Sequence, residues 1–310
     1  MSHPERAYLN GEIVPIHEAN VSIMDRGFLF GDGVYEVAAV LNGRLVDGPA
    51  HLARLERSLR EIELRCPIPA EDLPAVMQSF VTGERLSEGM IYIQVTRGRD
   101  ISRAFHFPNP EHVDPTMVMF VVEKDLRNSP TAETGIKAIT VPEIRWARRD
   151  IKSISLLGQV LCKQAAVAAG AAEALMVEDG FITEGATAAA CLVTADGRLV
   201  MRPVNRDILD SITRRATFLI AVEMDLPIEE RRFTPAEAYV AKEVFCASAS
   251  ALIFGIIELD GHVIGDGTPG PITRRLREIY LNIASSEDPV FVKDFFDPGH
   301  EQADPQNLDV

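Results

Sequence analysis

One lysine sits where a strand-like segment gives way to a helix-like one. It is Lys152, in RWARRDIKSISLLGQVLCKQ, Arg145 to Gln164. An isolated lysine is ordinarily a solvated surface charge. To bond a carbonyl carbon as a Schiff base it needs surroundings that favour the free amine. Downstream, FITEGATAAACLV, Phe181 to Val193, sets Glu184 before a glycine and a run of small residues, which alone would be a turn. Other chemistries lack their residues. Cys66, Cys162, Cys191 and Cys246 are scattered with no CxxC pair, so they read as buried thiols, neither a disulfide framework nor a zinc site. The 7 histidines show no HxxxH or HxH spacing that would put two imidazoles on one metal.

Taken together, Lys152 and Glu184 resemble the core of the fold-type-IV pyridoxal-phosphate enzymes, the class-IV aminotransferases, whose pattern is a lysine in RDIKS followed by TEG. The resemblance runs from about Tyr8 to about Ile283 and is carried by several further motifs. It implies that Lys152 carries pyridoxal 5'-phosphate and that Glu184 keeps the pyridine nitrogen protonated, which makes the ring an electron sink. HLARLERS, His51 to Ser58, puts Arg54 where the family has an arginine on the cofactor phosphate, although by residue type alone Arg54 is an exposed helical charge. ILDSITR, Ile208 to Arg214, resembles the family's ILxGITR, which implies that Leu209 packs on the ring and that the amides of Ile212 and Thr213 bind phosphate. The first free N–H groups of a helix and its dipole do favour an anion. DGHVIGDGTPGPITRRL, Asp260 to Leu276, matches the family's C-terminal element. The chain also departs from the pattern. Ala186, Thr187, Ala188 and Ala189 stand where many relatives read SSSN, and Ala249 stands where relatives often have a phosphate-binding threonine, so backbone amides, Thr213 and Ser248 are expected to compensate.

Within the family the chain is most similar to the D-amino-acid transaminases. TRGRDISRAFHFP, Thr96 to Pro108, resembles their TRG…RxHxFP, in which an arginine and a histidine, helped by the tyrosine of GVYEV, grip the substrate carboxylate. Arg103 and Tyr35 match, Phe105 replaces the histidine, and His106, one residue on, is expected to face solvent. Val37 stands where the aminodeoxychorismate lyases usually have threonine. The implied reaction is ping-pong transfer of an amino group from a D-amino acid to a 2-oxo acid, in a homodimer whose subunits complete each other's sites. Branched-chain L-amino-acid or (R)-amine transaminases are alternatives, as is a non-catalytic relative that binds the cofactor.

The elements that must position these residues suit a two-domain α/β chain. With 310 residues, 46% hydrophobic and 25% charged, a sizeable core can form. The net charge of -15 repels nucleic acid and anionic membrane surfaces. MSHPERAYLNGEIVPIHEAN has no basic start followed by an apolar run, and no stretch reaches about eighteen consecutive apolar residues, so a cytoplasmic protein is expected. Turn signals at Asn10-Gly11, Gly31-Asp32-Gly33 and Asn42-Gly43 separate strands. An amphipathic helix is predicted over His51 to Leu64 and a second over Leu73 to Val81, followed by strands at Ile91 to Thr96 and Thr116 to Val122. This smaller α+β domain, 1–124, is expected to meet a larger β-rich, cofactor-binding domain, 136–287, through a linker at 125–135 that contains Pro130. The second half predicts a strand at Lys137 to Pro142 and a helix over Ser155 to Ala169 closed by Gly170. Ala195 to Arg198 should close a hairpin, Asp207 to Met224 should be helical, and Thr234-Pro235-Ala236-Glu237 should form a capping box. Further strands are expected near Glu243 to Phe245 and Ile256 to Asp260. The acidic segment 288–310 is expected to be a mobile tail.

Overall fold

The fold is that of a computed structural model in which residues 4–292 are described. Asn10-Gly11 joins strands β1 (Arg6–Leu9) and β2 (Glu12–Pro15). A short helix α1 (Arg26–Phe30) leads through Gly31 into β3 (Gly33–Leu41), which Asn42-Gly43 joins to β4 (Arg44–Leu45). Both Asn-Gly pairs have positive φ, the left-handed backbone that a two-residue hairpin requires. Helices α2 (Gly48–Glu61) and α3 (Leu73–Gly83) follow, then β5 (Glu88–Thr96) and β6 (Thr116–Glu123). The six strands form an antiparallel sheet in the order β2-β1-β6-β5-β3-β4.

Strand alternation gives this sheet two different faces. Val34, Ala38, Val40, Ile91, Ile93, Met117 and Met119 form a core with Leu55 and Leu59 of α2 and Met77 and Phe80 of α3. The intervening residues point the other way. Registers Val37↔Tyr92 and Tyr92↔Phe120 set one row across that face, and Tyr92 stacks on Tyr35 and on Phe120 with ring centroids 5.4 and 4.8 Å apart.

The chain then crosses through α4 (Pro130–Thr134) to β7 (Ile136–Pro142), the loop bearing Lys152, α5 (Leu157–Ala168), β8 (Glu173–Glu178), β9 (Phe181–Gly185), β10 (Ala189–Val193) and β11 (Leu199–Met201). After α6 (Ile212–Glu223) come β12 (Ile228–Glu230), α7 (Pro235–Tyr239), β13 (Glu243–Ser248), β14 (Leu252–Leu259), β15 (His262–Val263) and α8 (Pro271–Ala284). The nine-stranded sheet runs β12-β11-β10-β13-β14-β7-β8-β9, with β15 on β14; it is parallel at β12/β11, β14/β7 and β7/β8. One side packs Cys191, Phe245 and Ile253 against Ile212 and Ile220 of α6 and Leu276 and Tyr280 of α8. Ala190, Val244 and Ile256 pack on the other side with Phe233 and Ala238. The architecture is the α/β fold of the class expected from the sequence.

Local differences from the sequence reading have identifiable causes. Helix α2 begins three residues early because Pro49 favours the first helical turn. Helix α6 begins at Ile212, five residues later than predicted. Asn205 Oδ1 accepts from Asp207 N, turning the chain, and Ser211 becomes the N-cap by accepting from Arg214 N at 3.2 Å. The capping box at α7 forms as written: Thr234 Oγ1 accepts from Glu237 N at 3.2 Å and Glu237 Oε2 accepts from Thr234 N at 2.9 Å. The 125–135 segment is more ordered than a bare linker, since Glu88 Oε1 accepts from Leu126 N and Arg127 N and Leu126 is fully buried. The tail expected to be mobile from 288 starts out anchored. Asp47 Oδ1 accepts from Phe291 N and Val292 N, Asp47 N donates to the Pro289 carbonyl, and Val292 is buried: with Oδ2 taken by Tyr280 Oη, these amides satisfy the other oxygen of a buried carboxylate. Residues 293–310 lie outside the described residues.

Candidate active site

Lys152 is fixed by backbone pairing to the start of β3. Tyr35 N donates to the Lys152 carbonyl at 3.0 Å, Ile154 N donates to the Gly33 carbonyl at 3.1 Å, and Lys152 N donates to Ser58 Oγ at 3.3 Å. A Cβ at position 33 would lie 2.6 Å from the Val95 carbonyl oxygen, so this close approach requires glycine. The preceding Asp150 is clamped by Arg57 Nη2 at 2.5 Å and Arg148 Nε at 3.0 Å. The lysine amine therefore projects into a cavity of about 460 Å³ between the open face of the first sheet and the second sheet. Its Nζ sits 4.3 Å from the centroid of the Tyr35 ring. A larger cleft of about 1050 Å³ opens under the 99–115 loop, but it contains no lysine, so the chemistry is assigned to the Lys152 cavity.

Glu184, on β9, lines the same cavity and is buried. Its Oε1 accepts from Arg145 Nη1 at 2.5 Å and from Leu209 N at 3.2 Å. Arg145 is gripped in turn by Glu143, through Nε to Oε1 at 2.9 Å and Nη2 to Oε2 at 2.6 Å. Burial pushes the Arg145 guanidinium down, but Glu184 and Glu143 outweigh it and raise it above the usual range. Burial likewise favours a neutral Glu143, yet its bonds from Arg145 and Thr183 lower it to about 2. Arg149 makes a two-pronged pair with Glu178 at 2.7 and 2.6 Å.

At the third corner lie Arg54, Leu209, Ser211, Ser248 and Ser250. Arg54, expected by residue type on an exposed helical face, is instead buried, because β3 supplies Glu36 to pair with it. Ile212 and Thr213 are the first residues of α6 and are buried directly behind the lining residue Ser211. Their amides belong to the helical turn whose N–H groups have no partner within the helix. An amine, a buried carboxylate and an anion cradle built from an arginine, hydroxyls and a helix start thus share one cavity. That donor set fits the aldehyde, ring nitrogen and phosphate of pyridoxal phosphate, with Leu209 as an apolar surface for the ring. Ala186, Ala188, Ala189 and Ala249 also line the cavity and contribute no hydroxyl, leaving that side to Thr187, Ser248 and Ser250.

The chain matches the amino-transferase class IV family over residues 33–259. It belongs to that family. This class IV aminotransferase is 41% identical over 274 residues to a D-alanine aminotransferase of Staphylococcus aureus, covering 88% of this chain and 96% of that protein. It is 35% identical over 282 residues to the D-alanine aminotransferase of Bacillus licheniformis, covering 91% and 98%. Among solved structures, a branched-chain amino acid aminotransferase from T.th., complexed with N-(5'-phosphopyridoxyl)-L-glutamate, superposes with a TM-score of 0.81 at 26% identity, covering 92% and 95%. A class IV aminotransferase works with pyridoxal phosphate, and the donor set in this cavity suits it.

Of the residues singled out in the sequence, Tyr35, Arg54, Lys152, Glu184, Leu209 and Ser248 line the cavity, and Ile212 and Thr213 stand behind it. Arg103 does not line it. It lies on the exposed β5–β6 connection with its guanidinium 5.2 Å from the Phe30 ring and 5.8 Å from the Phe105 ring. Arg103 and the proposed carboxylate partner Tyr35 therefore do not line the same cavity in this chain. His106 is exposed and borders the outer cleft. Sequence reading missed Arg145, Glu143, Ser211 and Glu36. The motifs RWARRDIKS, ILDSITR and GVYEV contain Arg145, Ser211 and Glu36, but Arg145 and Glu36 take their roles from Glu184 and Arg54, 39 and 18 positions away.

Proposed function

We propose that this chain transfers an amino group from a D-amino acid such as D-alanine to a 2-oxo acid such as 2-oxoglutarate, by a ping-pong mechanism. The observation that carries this reading is the convergence of Lys152 and Glu184 on one cavity, in a chain 41% identical to a D-alanine aminotransferase. Pyridoxal phosphate, when bound, supplies an electron sink that acidifies the substrate's α-carbon. Lys152 Nζ would hold the cofactor and, as a free amine, would move the proton between the substrate carbon and the cofactor's aldehyde carbon. Glu184, fixed by Arg145 and Leu209 N, holds the proton on the ring nitrogen. Arg54, Ser248 and the amides of Ile212 and Thr213 bind the phosphate, Leu209 packs on the ring, and Tyr35 flanks the amine on the substrate side. The working unit is a homodimer in the cytoplasm.

A branched-chain reading is kept by one observation: Val37, Met90, Tyr92, Phe120 and Val122 give the cavity an apolar wall. Rates with both enantiomers of alanine, glutamate and leucine, and with 1-phenylethylamine, separate the readings. D-alanine is expected to be preferred, and a preference for L-leucine would move the chain to the branched-chain group. Lys152→Ala is expected to abolish turnover and the borohydride-fixed cofactor label. Labelling at Lys163, or normal turnover in the variant, would overturn the assignment.

A further inference from the structure

Tyr35 and Val37 point into the cavity, so alternation along β3 turns Glu36 to the opposite face, beneath α2. A carboxylate 1% exposed is costly in a core unless it is fully paired. Glu36 meets that condition: Oε2 accepts from Arg54 Nε at 2.8 Å, Oε1 accepts from Arg54 Nη2 at 2.6 Å, and Oε1 also accepts from Val37 N at 2.9 Å. His51 Nδ1 lies 3.4 Å from the same oxygen. Burial would raise the Glu36 carboxyl, but Arg54 and His51 beside it hold it well below the usual carboxylate range.

Arg54 is held from the second sheet as well. Its Nη1 donates to the Asp210 carbonyl at 2.7 Å, and Asp210 immediately precedes Ser211, the N-cap of α6. A guanidinium has five N–H donors. Three are committed, two to Glu36 and one to Asp210, which leaves one N–H on each Nη beside the start of α6. Without Glu36 the side chain would retain a single protein anchor at Asp210 and its remaining torsions would be free.

We infer that Glu36 is a positioning residue for the anion end of the cavity: it fixes the Arg54 fork against the α6 N-terminus and thereby selects a phosphorylated cofactor over its phosphate-free form. Glu36 itself touches no cofactor atom, since it lies on the face of β3 opposite the cavity. This inference rests on the proposed reading that Arg54 meets the phosphate.

The quantity to measure is the ratio of dissociation constants for pyridoxal and pyridoxal phosphate, by absorbance titration of cofactor-depleted protein. Arg54→Ala is expected to lower that ratio; an unchanged ratio would remove the phosphate reading of Arg54 itself. Glu36→Gln keeps the shape but turns an amide donor toward Arg54, and should lower the ratio by about tenfold to a hundredfold while pyridoxal binds as before. The double variant should lose no more than Arg54→Ala alone, because both changes act through one group. A normal ratio in Glu36→Gln beside a lowered one in Arg54→Ala, or equal weakening of both ligands, would overturn the positioning role. Should Glu36→Gln not fold, Glu36→Asp keeps the charge on a shorter arm that cannot reach both nitrogens. Its ratio should fall part-way, and an unchanged one overturns the proposal.

Discussion

Glu184 Oε1 already accepts from Arg145 and from Leu209 N, so its other oxygen is the one available to a ring nitrogen. In Glu184→Gln the amide oxygen can keep the Arg145 bond while the NH2 group faces the ring, where it cannot hold a proton on nitrogen. The cofactor should remain bound and kcat should fall by about 1.5–3 kcal/mol or more, the worth of a charge-assisted bond; wild-type kcat would remove Glu184 from the reaction. Around it, Glu143, Glu178 and Glu184 face two guanidiniums, Arg145 and Arg149, so the group carries one net negative charge that suits a protonated ring. Glu143 titrates at about 2 in the folded chain against 4.5 as the ordinary value. A lowered carboxyl stabilises the fold above its unfolded pKa and loses that contribution as pH falls through the folded one. Glu143→Gln should therefore be less stable than wild type at neutral pH, with the gap in urea unfolding closing between pH 4.5 and 2. A gap independent of pH would show that charge on Glu143 is not what matters. Lys152 and Glu184 were legible in the sequence because each sits in a local motif. Glu36 and Arg145 were not, because an ordinary charged residue becomes part of a site only when a partner 18 or 39 positions away folds against it.

At the scale of elements, periodicity and turn chemistry located the main strands and helices of each half but gave no reading of α1, β8, β12 or α8, and took the α4 segment as linker; where an element was read, the errors fall at ends where side chains compete with the backbone. The start of α6 is the instructive case. The apolar pattern continues back to Asp207, but Asn205, Asp207 and Ser211 can all bond nearby amides, and such residues favour turns and caps over helix interiors. The late start matters to function, since it puts the open amides of Ile212 and Thr213 beside Arg54 rather than a full turn earlier in the chain. Ser211→Ala removes the cap and should destabilise the protein by about 1 kcal/mol in urea unfolding. It should also weaken pyridoxal phosphate more than pyridoxal, because the frayed turn is the one that receives the anion. A variant with wild-type stability and cofactor affinity would mean that neighbouring contacts, not the cap, hold this turn in place.

At the scale of the whole molecule, the cavity lacks a free cation for the substrate's carboxylate among the described residues. Of the basic residues lining it, Arg54 is paired with Glu36, Arg145 with Glu143 and Glu184, Arg149 with Glu178, and Lys163 with Glu173, while Lys152 is the proposed reacting amine. In the proposed homodimer, a planar two-donor fork from the second subunit would supply that cation. The β5–β6 connection offers one. It presents Arg103 among exposed apolar side chains, with Ile101 84% and Phe105 80% exposed and Phe28 of α1 72% exposed nearby. Such a surface is suited to burial against a second subunit. Sequence alone could match Arg103 to a motif but not say into which subunit's cavity it reaches, because that depends on how the loop leaves the sheet. In the proposed homodimer, Arg103 of each subunit would serve the other's Lys152. Arg103→Ala should then cut kcat/KM for D-alanine by about 2–5 kcal/mol, with a much smaller loss for 1-phenylethylamine, which has no carboxylate. Mixing supplies the decisive measurement. Arg103→Ala and Lys152→Ala are each nearly inactive with D-alanine, but a mixed dimer places both lesions in one site and leaves the other intact. After unfolding and joint refolding in equal amounts, about half the dimers are mixed, so about a quarter of wild-type activity should return. If Arg103 instead acts within its own subunit, every site carries one lesion and mixing restores nothing.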